Sequence, residues 1–165
     1  MLYLANRKRE HTAETQRQLH AADGYLYLNM PEEALEEIEA IQVPEQRNPD
    51  VLLARIRVLL HMHCWSEAEA LSQASGIEHP EEEEFTVQRA FALHQMQQSA
   101  VADEVLLAAP EWLRRTGILH YNLACYEARL GNLSIARQCV KTAIEINAAM
   151  KKNASIDPDL EALWN

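Results

Sequence analysis

The run His61-Met62-His63-Cys64 brings three metal-ligating side chains close together in the sequence. Imidazole and thiolate groups are common zinc ligands, so the run raises the question of a metal site. Residues two apart on a helix point to different sides, so His61 and His63 are unable to reach one ion. The sequence offers no second Cys/His pair at a zinc-site spacing. We therefore predict no metal site, and we interpret the histidines as residues of a helix C-terminus, where cationic groups are favoured.

The acidic run Glu81–Glu84 follows Pro80 and is predicted to begin a helix. Carboxylates in a first helical turn interact favourably with the exposed backbone amides, so the run needs no ligand, and a basic partner is the alternative. Phosphate-binding loops, Gly-x-Ser-x-Gly elbows and His-Glu-x-x-His motifs are absent from the sequence. The other carboxylates are spread over predicted solvated faces, whereas acid–base catalysis needs a pair in a cleft. We expect no enzyme activity and no cofactor.

The composition predicts an all-α protein. Hydrophobic residues make up 48% and charged residues 24% of the 165 positions, and four Gly with six Pro leave little room for the turns of a β fold. A net charge of −10 disfavours nucleic acid and anionic membranes as partners. Three cysteines without a tight pair, and the lack of a leader or membrane-spanning stretch, lead us to expect a cytoplasmic protein.

One alanine position recurs along the chain. Ala34, Ala68, Ala102 and Ala136 follow one another at intervals of 34 residues. Such a fixed interval is typical of helical-repeat proteins, in which each repeat is one helix–turn–helix unit. Apolar residues at helical spacing on both sides of each alanine predict two short amphipathic helices per repeat. The small side chain lets the paired helices approach closely, so a larger one should push them apart.

The chain resembles the tetratricopeptide repeat family. The family pattern has a small residue in the first helix, Leu-Gly at the turn and Ala in the second helix, and Tyr121–Asn132 followed by Ala136 matches it best. The resemblance covers about residues 15–150 and implies a right-handed all-α superhelix of four helix pairs plus a C-terminal capping helix. Ser72 and Ser75 stand where the second repeat should be apolar or alanine, so we expect a loose seam between repeats two and three.

Domain boundaries follow from this phase of the repeat. The predicted parts are a lead-in over 1–14, repeats over 15–48, 49–82, 83–116 and 117–150, and an extension with a capping helix over 151–165. The last repeat's second helix is expected to continue from Ile146 toward Lys152. In the extension, Asp157 is predicted to cap a helix that has Pro158 at its first position. This helix should bury Leu160, Leu163 and Trp164.

The resemblance also implies a ligand groove lined by the first helices of the repeats. Its implied lining is more apolar than a solvent-facing surface, and it is either an open binding groove or one filled by the chain's own termini or a second copy. The residues that the resemblance places in the groove are Leu19, Asp23, Leu26, Leu53, Arg57, Leu60, Val87, Phe91, His94, Tyr121 and Arg129.

Some relatives grip a partner's C-terminal carboxylate with Lys and Asn in this groove. The corresponding residues here lack those cations, so we do not expect carboxylate capture of that kind. The places are occupied by Leu19, Asp23, Ala54, Glu84 and Gln88.

The function that follows from the resemblance is non-catalytic protein binding. We expect an adaptor, scaffold or chaperone-like module that binds a peptide or a helical segment of another protein. In this expectation Leu53, Leu60, Val87, Phe91 and Tyr121 anchor the partner, and Asp23, Arg57 and Arg129 orient it. Two alternatives remain: a self-associating structural subunit such as a homodimer, and a protein similar to secretion chaperones.

Overall fold

The computed structural model describes residues 11–164, and all regular secondary structure within that range is helical. The all-α prediction is therefore confirmed. Residues 1–10 of the predicted lead-in lie outside the described residues. The α-helices in the described range are α1 (Ala13–Tyr27), α2 (Pro31–Glu39), α3 (Pro49–His61), α4 (Trp65–Glu78), α5 (Glu83–Gln95), α6 (Ser99–Leu107), α7 (Gly117–Arg129), α8 (Leu133–Ile146) and α9 (Met150–Ala154). Short 3-10 helices cover Val43–Glu45, Leu113–Arg115 and Pro158–Leu163.

Two compact units make up the chain, one ending at His63 and one beginning at Cys64. Within the first unit, α1 packs on α2, and α3 packs on both. Within the second unit, α4 packs on α5, α5 on α6, α6 on α7 and α7 on α8. Consecutive antiparallel packing of this kind buries one stripe of each amphipathic helix.

Local sequence determines where several helices begin. The Thr12 hydroxyl caps α1 by accepting from the backbone N–H of Thr15 at 3.2 Å. The Asn48 side chain caps α3 by accepting from the backbone N–H of Asp50 at 3.1 Å, with Pro49 at the first helical position. Both capping residues satisfy amides that have no partner inside the helix, and a first-position proline loses no hydrogen bond.

The turns inside the repeats share one unusual backbone conformation. Asn29, His63, Gln97 and Gly131 all have positive φ, at 58°, 59°, 62° and 82°, and they too lie 34 residues apart. Each follows a first helix by two residues and lies in the connection to the next helix. Glycine adopts this left-handed conformation without strain, whereas side chains such as that of Gln97 adopt it at a cost.

The recurring small residues are buried. Ala34, Ala68, Ala102 and Ala136 are each 0% exposed, as close helix packing at these positions requires. In the first helices the equivalent residues are also buried, with Ile56 in place of alanine in α3. The buried residues at this second position are Ala22, Ile56, Ala90 and Ala124.

The second unit contains an open cavity of about 420 Å³ between α4, α5 and α6. Small residues of α4, Ser72 and Gly76, form part of its wall, and the Ser72 hydroxyl donates to the Ala68 carbonyl at 2.6 Å. Ile77 at 76% exposure and Val101 at 42% lie beside it. Side chains of this size in α4 leave space that a larger apolar residue would fill.

The C-terminal part differs from the sequence expectation in three respects. Helix α8 ends at Ile146, because Asn147 adopts an extended conformation, so the helix does not continue toward Lys152. Beyond α9, Asp157 accepts from the backbone N–H of Asp159 and begins a 3-10 helix in place of an α-helix. Trp164, which was predicted to be buried, is 54% exposed, and its indole N–H donates to the Ala154 carbonyl at 3.1 Å.

Candidate functional site

In the first unit, the predicted groove residues form one face made by α1 and α3. Each helix contributes residues spaced four and then three apart, which places them on a single side of the helix. Asp23 and Arg57 occupy equivalent places in the two helices and form an ion pair, Nη2 to Oδ1 at 3.1 Å. The residues of this face, which we call the α1/α3 face, are Leu19, Asp23, Leu26, Leu53, Arg57 and Leu60.

The leucines of the α1/α3 face are buried to different extents. Leu53 is 3% exposed. Leu19 and Leu26 are half-buried and pack against the core of the first unit, and Leu60 is half-buried as well. Apolar side chains that stay partly accessible next to an ion pair form the surface that a mixed apolar and polar segment can cover.

In the second unit, α5 contributes three of the predicted residues. Val87 is 9% exposed and belongs to the core. Phe91 contacts Trp65 edge to face, with ring centroids 6.3 Å apart, which agrees with a packing role for this tryptophan. His94 is 7% exposed and stacks on Tyr126 with ring centroids 4.6 Å apart. Much of α5 is therefore occupied by contacts inside its own unit.

The chain's own C-terminus covers the predicted face of α7. We call residues Asp157–Trp164 the C-terminal segment. The Tyr121 hydroxyl donates to Asp157 Oδ2 at 2.6 Å, and Arg129 Nε lies 3.5 Å from Asp159 Oδ1. His94 of α5 reaches the same segment, with Nε2 2.9 Å from Asp159 Oδ2. In the second unit, the C-terminal segment thus covers the face of α7, which corresponds to the alternative that the chain's own terminus fills the groove.

Burial and the nearby carboxylates set the protonation of the groups under the C-terminal segment. Burial, followed by the hydrogen bond to Asp157, raises the pKa of the Tyr121 phenol far above its usual range. Burial, followed by the charges of Asp157 and Asp159, likewise raises the pKa of the Cys125 thiol. Both groups therefore remain protonated donors at neutral pH, and Cys125 is a poor nucleophile.

Cys125, Asp157 and Asp159 could supply three ligand atoms to a metal ion, because those atoms lie within 4.8 Å of one another. Their hydrogen bonds explain the arrangement without an ion. The Cys125 thiol donates to Asp157 Oδ2 at 3.8 Å, and the raised pKa of the thiol disfavours the thiolate that zinc requires. His61 and His63 do not belong to this group.

The sequence did not predict that Asp157 and Asp159 contact the groove residues of α5 and α7. It assigned Asp157 only a capping role and gave Asp159 no role, although both contact predicted groove residues. It also treated Asp23, Arg57 and Arg129 as groups that orient a partner, whereas each is paired inside the chain. The spacing of Tyr121, Cys125 and Arg129 indicates that they share one side of a helix. The sequence does not indicate which segment covers them, because Asp157 lies 32 residues from Cys125.

No helix in the described part of the chain is long and apolar enough to cross a membrane.

Comparisons with known proteins inform the fold. No protein-family model matches the chain, and no curated protein matches it. The chain is similar to a solved structure of MamA, from residue 41 to its end, of Desulfovibrio magneticus RS-1. The TM-score is 0.69 and the identity 15%, over 94% of this chain and 92% of that one. The likeness supports a tetratricopeptide-type fold.

A second solved structure, the ArsTM double mutant of MamA RS-1, gives the same result. Its TM-score is 0.68 at 15% identity, over 94% of this chain and 91% of that one. MamA is a TPR-like helical protein, which agrees with consecutive helix pairs in both units here. At this identity the likeness concerns the fold alone.

Proposed function

We propose that this chain is a non-catalytic helical-repeat module that binds a segment of another protein. The observation that carries the proposal is the α1/α3 face, on which partly accessible leucines flank the Asp23–Arg57 ion pair. Tetratricopeptide-type folds commonly present such first-helix faces to partners, and the fold likeness to MamA supports the same kind of module. The division into four repeats at 15, 49, 83 and 117 belongs to this proposal.

Apolar anchoring is the mechanism that we propose for this face. Leu60 and Leu19 lose their remaining accessible surface to an apolar side chain of the partner, which contributes about 25 cal/mol for each Å² buried. The Asp23–Arg57 pair lies between the leucines, with the Asp23 side chain more exposed than that of Arg57. A polar group of the partner that bonds to Asp23 fixes the orientation of the segment.

The partner chemistry in this proposal is a peptide or an amphipathic helix, in an adaptor-like or chaperone-like role in the cytoplasm. The net charge of −10 supports a protein partner over a nucleic acid or an anionic membrane. Similarity to secretion chaperones remains an alternative within the same class.

The test uses a partner captured by the folded chain from a lysate of its native source. Affinity for that partner is measured for Leu19→Glu combined with Leu60→Glu, both on the α1/α3 face, and for the control Ile135→Glu, which places the same charge on an exposed residue of α8. Loss of about tenfold or more in affinity is expected for the double variant and little change for the control. Unchanged binding by a folded double variant excludes the α1/α3 face as the binding site.

The second candidate function is self-association into an assembly subunit. It is favoured by the apolar residues Ile77 and Val101, which are exposed beside the α4–α6 cavity. Exposed apolar surface of this kind is typical of contacts between copies. Light scattering at micromolar concentration separates the two candidates: a tight dimer that Val101→Glu dissociates supports assembly, and a monomer opposes it.

A further inference from the structure

The polar groups that α5 and α7 direct at the C-terminal segment are all hydrogen-bond donors. Tyr121 offers a phenolic O–H, Cys125 a thiol and Arg129 a guanidinium. His94 completes the set: Nε2 lies 2.9 Å from Asp159 Oδ2, and because a carboxylate only accepts, Nε2 is the donor, while Nδ1 lies 2.9 Å from the Ser99 hydroxyl. Because the side chains on this face all donate hydrogen bonds, the segment that covers the face has to supply acceptors.

Two carboxylates supply those acceptors. Asp157 accepts from Tyr121 and Cys125, and Asp159 accepts from His94 and faces Arg129. If the segment left without replacement, the buried or partly buried donors His94, Tyr121 and Cys125 would lose their partners, which is costly at low exposure, whereas Arg129 is 56% exposed and stays hydrated. Hydrogen bonds to charged groups are also the stronger kind, so the face discriminates in favour of carboxylates.

Two leucines add an apolar requirement to this acidic pattern. Leu160 is 0% and Leu163 6% exposed, both within the core of the second unit. Ile156, which precedes the segment, and Trp164, its last residue, contribute less, because they are 74% and 54% exposed. The segment on this face therefore has, from Asp157 to Leu163, the sequence pattern Asp-x-Asp-Leu-x-x-Leu, in which x is any residue.

The local structure of the segment makes exchange feasible. Its 3-10 helix, Pro158–Leu163, has six residues, and hydrogen-bond geometry in such a helix is poorer than in an α-helix. Short elements with few internal hydrogen bonds open at lower free energy than long packed helices.

We propose that the face formed by His94, Tyr121, Cys125 and Arg129 is a docking site for a partner segment with this acidic and leucine-containing pattern. The chain's own C-terminal segment occupies the site until the partner displaces it. The inference deepens the proposed function and rests on it, by naming the partner chemistry for the second unit. It differs from carboxylate capture by Lys and Asn, because the donors here are other residue types in α5 and α7.

The test is a binding measurement on the full chain. The probe is a labelled synthetic peptide with the sequence of residues 153–165, followed by fluorescence anisotropy. Asp157→Asn combined with Asp159→Asn weakens the intramolecular occupant, so the peptide should bind this variant at least about tenfold more tightly than the unmodified chain. Glu161→Gln is the matched control, because it removes an exposed acid of the same segment, and it should bind the peptide as the unmodified chain does.

Peptide chemistry provides the second arm. A peptide with both aspartates replaced by asparagine should bind the double variant at least about tenfold more weakly than the acidic peptide. Equal binding of the two peptides, or equal binding of the acidic peptide to the variant and the unmodified chain, overturns the inference. Circular dichroism establishes that the double variant is folded, and Asp157→Asn alone replaces it if it is not.

Cys125 reports on occupation of the face by the peptide. In a background with Cys64→Ser and Cys139→Ser, a saturating amount of the acidic peptide should slow maleimide labelling of Cys125 in the double variant about tenfold, whereas the asparagine peptide should leave the rate unchanged. Equal labelling with and without the acidic peptide means that the peptide does not cover the thiol, and the inference then fails. The proposed function is judged separately, by the response of the captured partner to Leu19→Glu with Leu60→Glu.

Discussion

Replacing Gln97 by glycine should stabilise the protein, although glycine usually destabilises. Gln97 has a φ of 62° in the turn between α5 and α6, and its side chain is exposed. The left-handed conformation costs an ordinary residue about 1–2 kcal/mol, and glycine removes that cost. Glycine also gains freedom in the unfolded chain, which offsets about 0.4–1 kcal/mol. The expected net effect of Gln97→Gly is about 0.5–1 kcal/mol of added stability.

The equivalent turn at Gly131 gives the reverse experiment. Its φ is 82°, and a Cβ added there would meet nothing within 4 Å, so the only cost of a side chain is backbone strain. Gly131→Gln should therefore lower the free energy of unfolding by about 0.5–1 kcal/mol. The two variants exchange the same pair of residues between equivalent turns, and their effects should be similar in size and opposite in sign.

Urea denaturation followed by circular dichroism measures both effects. Gln73→Gly is the control, because Gln73 is exposed in the middle of α4, where glycine should destabilise by about 0.5–1 kcal/mol. The reasoning is refuted if Gln97→Gly destabilises as much as Gln73→Gly does. That result would mean that the turn does not hold Gln97 in the left-handed region.

Three further predictions concern packing and protonation. Ala136→Leu should lower the free energy of unfolding, measured in urea, by about 1–3 kcal/mol, because Ala136 is 0% exposed. Ala100→Leu, at an exposed position of α6, should change the free energy of unfolding little, and equal effects of the two variants would contradict close packing at Ala136. Burial, followed by the charge of Glu127, raises the pKa of Asp103, so its protonated form stabilises the fold and this contribution is lost as the pH rises. Asp103→Asn should therefore be more stable than the unmodified chain near pH 7, and this advantage should disappear below pH 3.8, the ordinary pKa of an aspartate. Thermal melts across that pH range test this, and a variant that is less stable than the unmodified chain near pH 7 would contradict it. Burial raises the pKa of Cys125, so maleimide at pH 8 should label Cys125 last of the three cysteines. Mass spectrometry of the labelled peptides measures the order, and early labelling of Cys125 would contradict a covered thiol.

The repeat was predictable because it rests on local sequence patterns. The 34-residue interval from Ala34 to Ala136 predicted buried small residues, and all four alanines are buried. The pairs α1–α2, α5–α6 and α7–α8 pack as predicted. Spacing also predicted which first-helix residues share one side of a helix, since residues four and seven apart do so. The role of these residues in binding stays a prediction, which the measurements on Leu19 and Leu60 test.

The C-terminal part was less predictable because its conformation depends on distant contacts. Asp157 and Pro158 correctly indicated the beginning of a helix, but not that six residues would form a 3-10 helix on α7. The extended backbone at Asn147 also has no strong local signal, since neither proline nor glycine stands there. Contacts with α7 and α8 outweigh local propensity in such a short segment.

The sequence by itself determined the all-α class, the 34-residue interval and the small residues on which the helix pairs close, because each depends on neighbours within a few turns of the same chain. Only the tertiary structure decided which polar groups of the predicted groove are engaged inside the protein. Asp23 pairs with Arg57 across 34 residues, and His94 meets Asp159 across 65. Pairings over such separations are selected by packing, which brings together groups that no local sequence pattern relates.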